Sequence, residues 1–157
     1  MDMTSYQSLN ELKVYIVEND ELLRDSMALF FRTKGCSVQA FGSAEEASPA
    51  LEAWPPDIVI CDFGLPGVDG MKFLEGIGAR HPDTVKILIG GHPSFLLPGD
   101  GKRVGIDEVL LKPFSVEEIE RALERQLHNR LEGGESTTWN RRGTGLKHWP
   151  IDQGGRG

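Results

Sequence analysis

Four residues of the kinds that hold a divalent cation and an anion stand where apolar segments stop. Glu18 and Asn19 follow the run 12–17, Asp62 follows 58–61, and Lys112 follows 108–111. Carboxylates gathered in one place repel one another and are costly to bury unless paired or solvated. A divalent cation with oxygen ligands holds such acids together, and Mg²⁺ is the natural choice. Magnesium keeps waters and shares phosphate oxygens, so acids collected with a single lysine suit phosphoryl transfer. Asp62 is the centre of the pattern, because Ile58-Val59-Ile60-Cys61 carries no polar residue before it and Pro66, Gly67 and Gly70 break the chain directly after it. The bland alternative is an Asp that only caps the next turn.

These residues must be positioned by strands, and the chain alternates between two periodicities. Segments 12–17, 37–41, 58–61, 85–89 and 108–111 read as strands. The second is the least apolar and is expected near an edge. Between them lie helical patterns. The first, 20–33, has Leu22, Leu23, Met27, Phe30 and Phe31 on one face and ends at Lys34-Gly35. A second opens at Ser43 with Glu46 as a capping box; Pro49 kinks it or restarts it with Ser48 as cap. A third, 70–79, carries Met71, Phe73, Leu74 and Ile77, and the segment 94–105 is a helix weakened or abolished by Pro98, Gly99 and Gly101. The clearest helix opens at the capping box Ser115/Glu118, with Val116, Ile119, Ala122, Leu123, Gln126 and Leu127 facing inward. Five alternations imply an α/β fold, a doubly wound parallel sheet with ligands at the carboxyl ends of the strands. If the strand order is 2-1-3-4-5, Glu18 and Asp62 lie on adjacent tips. Lys112 is then two strands from Asp62, roughly 10 Å, with Gly90 offering no side chain to block its arm.

Composition narrows the class. The chain has 157 residues and a formal net charge of -7, which suits one domain and argues against nucleic acid as a partner. Cys36 and Cys61 are the only cysteines and fit reduced thiols better than a disulfide framework. No apolar stretch of about 18 residues is present, and the polar start lacks a signal peptide's regions, so a cytoplasmic protein without membrane contact is expected. The division expected is a flexible start (1–11), a folded domain (12–131) and a Gly-rich flexible tail (132–157) holding Trp139 and Trp149.

Taken together, Val17-Glu18-Asn19-Asp20, Asp62…Leu65-Pro66…Asp69-Gly70 and Leu111-Lys112-Pro113-Phe114 resemble the receiver domain of bacterial two-component response regulators. The likeness covers 12–131 and implies the flavodoxin-like order 2-1-3-4-5, for which the same family supplies a standard example. It implies that Asp62 takes a phosphoryl group from the phosphohistidine of a histidine kinase or phosphotransfer protein. Lys112 pairs with Asp62 and then with the phosphoryl oxygens, and the Lys112-Pro113 bond is cis. The resemblance also implies Mg²⁺ held by Asp62, by the acidic-pair position Glu18-Asn19 and by the Gly64 carbonyl, with Gly90 and Gly91 beside the phosphoryl group.

The departures are as informative. Two acids usually stand where this chain has Glu18 and Asn19, so Mg²⁺ binding is expected to be weak; Asp20, expected to cap the following helix, offers a second route to the metal through water. The hydroxyl residue at the end of the fourth strand is Gly90, and the aromatic switch position is Val109. His92 falls beside the phosphoryl position, with an exposed loop histidine as the plainer reading. The expectation is an atypical receiver domain, not an enzyme, with its phosphoacceptor intact and its switch degenerate. No output domain is recognisable after Leu131, so output is expected through a separate output protein or a lost C-terminal segment. The alternative is a phosphorylation-independent pseudo-receiver that docks a partner. An aspartate-nucleophile phosphatase fits poorly, because the general acid it needs two residues after the nucleophile is Gly64.

Overall fold

The computed structural model describes residues 11–67, 69–91 and 105–131. The tail 132–157, the start before Glu11, His92 and the segment 94–104 lie outside the described residues. The described elements are β1 (Lys13–Val17), α1 (Glu21–Thr33), β2 (Ser37–Phe41), α2 (Ala44–Ala47), β3 (Ile58–Asp62), α3 (Gly70–Arg80), β4 (Val85–Gly90), β5 (Glu108–Leu111) and α4 (Val116–Leu131). The five strands form one sheet in the order β2-β1-β3-β4-β5, and every neighbouring pair is parallel.

The sheet is buried on both faces, which is why its central strands are continuous apolar runs. Residues alternate between two cores. Tyr15, Val17, Val59, Cys61 and Leu88 pack with Ala44, Ala47, Phe73, Leu74 and Ile77, so α2 and α3 cover one face. Val14, Ile16, Ile60, Ile87, Ile89 and Leu110 pack with Met27, Phe31, Ile119 and Leu123, so α1 and α4 cover the other. The edge strand β2 is only partly buried along its length, as its composition implied.

Helix ends are set by local chemistry. Asp20 Oδ1 accepts from the N–H groups of Leu22 and Leu23, at 3.0 and 3.2 Å, and so caps α1. Past its other end Gly35 takes φ +91°, a conformation that favours glycine. Both halves of the Ser115 box form: Glu118 N–H donates to Ser115 Oγ at 3.1 Å, and Ser115 N–H to Glu118 Oε1 at 2.8 Å. The Ser43 box forms by half. Glu46 N–H donates to Ser43 Oγ at 3.2 Å, but Glu46 Oε1 receives the N–H of Gly42 at 3.0 Å. At Pro49 the chain does restart, as a single 3₁₀ turn over Ser48–Ala50. Ser48 does not cap that turn: it is the turn's first residue, with helical backbone, Ala47 holds the cap position, and the Ser48 hydroxyl donates to Ala44 O at 2.9 Å.

Two side chains assigned to inner faces point outward. Leu22 is 78% exposed and Val116 51% exposed. Both stand in the first turn of their helices, and Leu22 shares its stripe with Leu29, seven residues on and also exposed.

Candidate functional site

The carboxyl ends of β1, β3 and β5 bring three charged side chains together. Glu18 follows β1 with its side chain buried, 1% exposed, and Asp62 closes β3 at 7%. Lys112 follows β5, its main chain anchored where its N–H donates to Gly90 O at 2.8 Å. From there its arm passes the tip of β4. Nζ lies 3.1 Å from Glu18 Oε1 and 3.4 Å from Asp62 Oδ2. One ammonium therefore serves two carboxylates. The Lys112-Pro113 peptide bond is cis.

The electrostatics follow from that sharing. Burial pushes the Glu18 carboxyl up; the N–H of Asp20 acts against this, the charge of Asp62 adds to it, and Lys112 lowers it again, with the net result upward. For Lys112 burial works downward, but its hydrogen bond to Glu18 and the charges of Asp62 and Glu18 outweigh it, so its pKa is raised and the ammonium persists. Cys61, beside Asp62, is held far above the ordinary thiol range by burial and then by the charges of Asp62, Glu18 and Asp69. It remains a protonated thiol and offers no rival nucleophile. Cys36 is likewise pushed up to about 11, mainly by burial, and neither thiol is in a disulfide.

The remaining predicted residues are placed less uniformly. Asn19 is exposed and sits one residue beyond Glu18, while the N–H of Asp20 donates to Glu18 Oε2 at 2.9 Å. Gly64 is exposed in the turn after β3, and its N–H donates to Asp62 Oδ1 at 3.3 Å. Gly90 is buried, Gly91 exposed, and Val109 buried in the core beneath. The available donors are oxygen atoms and two converging carboxylates, which fits a hard cation such as Mg²⁺. Among the described residues no group of three or more His, Cys, Asp or Glu side chains is placed to hold a metal, so the formal charge on offer is that of Glu18 and Asp62.

Two residues escaped the sequence reading. Arg24 Nη1 reaches back from α1 to the carbonyl of Glu18, at 2.9 Å. Gly70 reads in the sequence as a loop breaker, the start of the third helix and part of the Asp69-Gly70 motif, but not as a packing contact: its Cα faces the main chain of β3's end, and a Cβ there would stand 3.1 Å from Asp62 C and Phe63 Cα. No local pattern announces either contact, since both depend on how β1 and β3 dock their following helices.

A family model of the response regulator receiver domain matches residues 14–124. The chain belongs to this family. Receiver domains are signalling modules that work with histidine kinases or phosphotransfer proteins and generally bind Mg²⁺ at the phosphorylation site. Among curated relatives, the transcriptional regulatory protein BasR of Escherichia coli K12 is 31% identical over 125 residues, 80% of this chain and 56% of BasR. The C4-dicarboxylate transport regulator DctD of Rhizobium meliloti is 31% identical over 112 residues, 71% of this chain and 24% of DctD. The chain thus spans about half of one relative and a quarter of the other. A CheY-like receiver domain protein from Methanospirillum hungatei JF-1 shares the fold, with a TM-score of 0.71 at 20% identity over 80% of this chain and 100% of that one. So does CheY4 of Vibrio cholerae, with a TM-score of 0.67 at 22% identity over 74% and 98% of the two chains. The receiver fold and its 2-1-3-4-5 order are as the resemblance implied.

Proposed function

We propose that Asp62 accepts a phosphoryl group from the phosphohistidine of a partner kinase or phosphotransfer protein, and that the resulting state signals through protein–protein contacts with a muted conformational switch. The observation that carries this reading is the Lys112 ammonium shared between Glu18 and Asp62 on neighbouring strand tips. A carboxylate oxygen of Asp62 attacks phosphorus, the P–N bond to imidazole breaks as the P–O bond forms, and the imidazole takes a proton from solvent. Lys112 offsets the negative charge that gathers there. Glu18, Asp62 and the Gly64 carbonyl would hold Mg²⁺, with Asn19 contributing a neutral oxygen, and the cation supplies charge neutralisation for the phosphoryl oxygens. Acetyl phosphate with Mg²⁺ should leave a hydroxylamine-labile adduct on the peptide that contains Asp62. An adduct mapped elsewhere would refute the assignment.

Asn19 sets the metal affinity in this scheme. Affinity tracks ligand charge, so Asn19→Asp should tighten Mg²⁺ binding in a calorimetric titration. Equal or weaker binding would place Asn19 outside the metal site.

The muted switch rests on Gly90 and Val109. Gly90 has no hydroxyl to follow a phosphoryl group, and Val109 has no ring to swing into the space beside it. A ligand shifts an equilibrium only by its differential contacts with the two states. Partner affinity should therefore change on phosphorylation by well under the roughly 1–3 kcal/mol usual for allosteric coupling. Amide spectra with and without beryllofluoride, a phosphoryl mimic, should show shifts confined to the loops at Glu18, Asp62, Gly91 and Lys112. Large shifts spreading through α4 would show a working switch. The same two residues favour the second reading, a docking module that needs no phosphorylation, and a wild-type chain that never acquires the adduct would select it.

A further inference from the structure

Glu18 is the deepest of the charged residues at the site, and nearly all its polar atoms are committed. Its N–H donates to Phe41 O at 3.0 Å, its Oε2 receives the N–H of Asp20 at 2.9 Å, and its carbonyl receives Arg24 Nη1 at 2.9 Å. Oε1 is left aimed at Lys112, 3.1 Å away. Of these restraints, Arg24 is the one that comes from beyond the β1–α1 connection and its strand neighbour. Space for it is made by a glycine: a Cβ on Gly42 would stand 3.3 Å from Arg24 Nη1, and 3.7 and 3.9 Å from the carboxylate oxygens of Glu46. The guanidinium therefore lies between the Glu18 carbonyl and the β2–α2 turn.

We propose that Arg24 is a positioning residue for the acid site: by holding the Glu18 main chain, it keeps the Glu18 carboxylate directed at the cation and at Lys112. Asn19 is exposed and neutral, so the metal side of the site depends on Glu18 and Asp62 for charge, and the orientation of Glu18 then matters more than it would with a second acid beside it. Groups that orient a metal ligand without touching the metal typically change affinity by tenfold or more when removed. This role rests on the phosphoacceptor reading for its purpose, but it is measured on the metal alone.

The test is calorimetric titration of Mg²⁺ into the wild-type chain, Arg24→Ala, Arg24→Lys and Gly42→Ala, with thermal unfolding of each in Mg²⁺-free buffer. Arg24→Ala should bind Mg²⁺ roughly tenfold more weakly. Arg24→Lys, which keeps one donor within reach of the carbonyl, should recover part of that loss. Gly42→Ala, which displaces Nη1 only slightly, should shift affinity in the same direction as Arg24→Ala but by less. A lowered unfolding temperature with unchanged Mg²⁺ affinity in all three would overturn the proposal and leave Arg24 a stabilising contact only. Should Arg24→Ala not fold, the Lys variant and Gly42→Ala decide in the same way. Failure of acetyl phosphate to modify the wild type would count against Asp62 as acceptor, while the Mg²⁺ affinities would still decide the role of Arg24.

Discussion

Lys112→Met is expected to slow phosphorylation of Asp62 by about 10²–10³-fold, the usual cost of removing one preorganised charge-stabilising donor from a site. Methionine keeps much of the arm's bulk, so the loss isolates the ammonium. That ammonium lies 3.1 Å from Glu18 and 3.4 Å from Asp62, and no other cation bridges the two carboxylates among the described residues. Its removal also takes away the hydrogen bond and the charge with which Lys112 lowers the pKa of Glu18, so that carboxyl should move further up. The pH dependence has a definite sign. Because the folded-state pKa of Lys112 is raised, its contribution to stability is complete below the ordinary lysine value and lost as pH rises through the raised one. Glu18, an acid whose folded pKa is also raised, has the same sign in its own lower window: stability falls as pH climbs from its unfolded value through its folded one. Rates of adduct formation from acetyl phosphate check the main effect, and a change of only a few-fold would remove Lys112 from the chemistry.

Gly70→Ala should destabilise the fold by about 3 kcal/mol, the upper end of the overpacking range, and should impair phosphorylation as well. Gly70 opens α3 directly behind β3, and a methyl group there would meet main-chain atoms of Asp62 and Phe63 rather than a side chain able to turn away. Relief requires the acid-bearing strand end to move. Gly76, in the same helix, is the control: a Cβ there meets nothing within 4 Å. Gly76→Ala should therefore stabilise by about 0.8–1 kcal/mol, the helix-propensity difference between the two residues. Denaturant unfolding of the two variants compares them directly. Equal and opposite small effects, with normal phosphorylation of Gly70→Ala, would contradict the packing argument.

How much of this was readable beforehand depended on whether the information was local. The five strands and their ends were legible because apolar runs and the residues that terminate them are adjacent in sequence. The caps at Asp20 and Ser115 followed for the same reason, each being a contact within three residues. The meeting of Glu18, Asp62 and Lys112 followed from one further step, the strand order, since parallel strands place their carboxyl ends on one rim. Periodicity failed at the starts of two helices. Leu22 and Val116 have the hydrophobicity of core residues but stand exposed in the first turns of their helices. Ser48 failed as a cap because it lies inside the turn as its first residue, with helical backbone, and Ala47 stands at the cap position. Arg24 and Gly70 were out of reach, since their contacts join a helix to the strand end before it and are fixed only by tertiary docking.

The most direct measurement is the intact mass of the wild-type chain and of Asp62→Ala after the same incubation with acetyl phosphate and Mg²⁺. The account requires one phosphoryl group on the wild type and none on Asp62→Ala. An equal adduct on both chains would contradict it, as would an unmodified wild type with every phosphodonor tried.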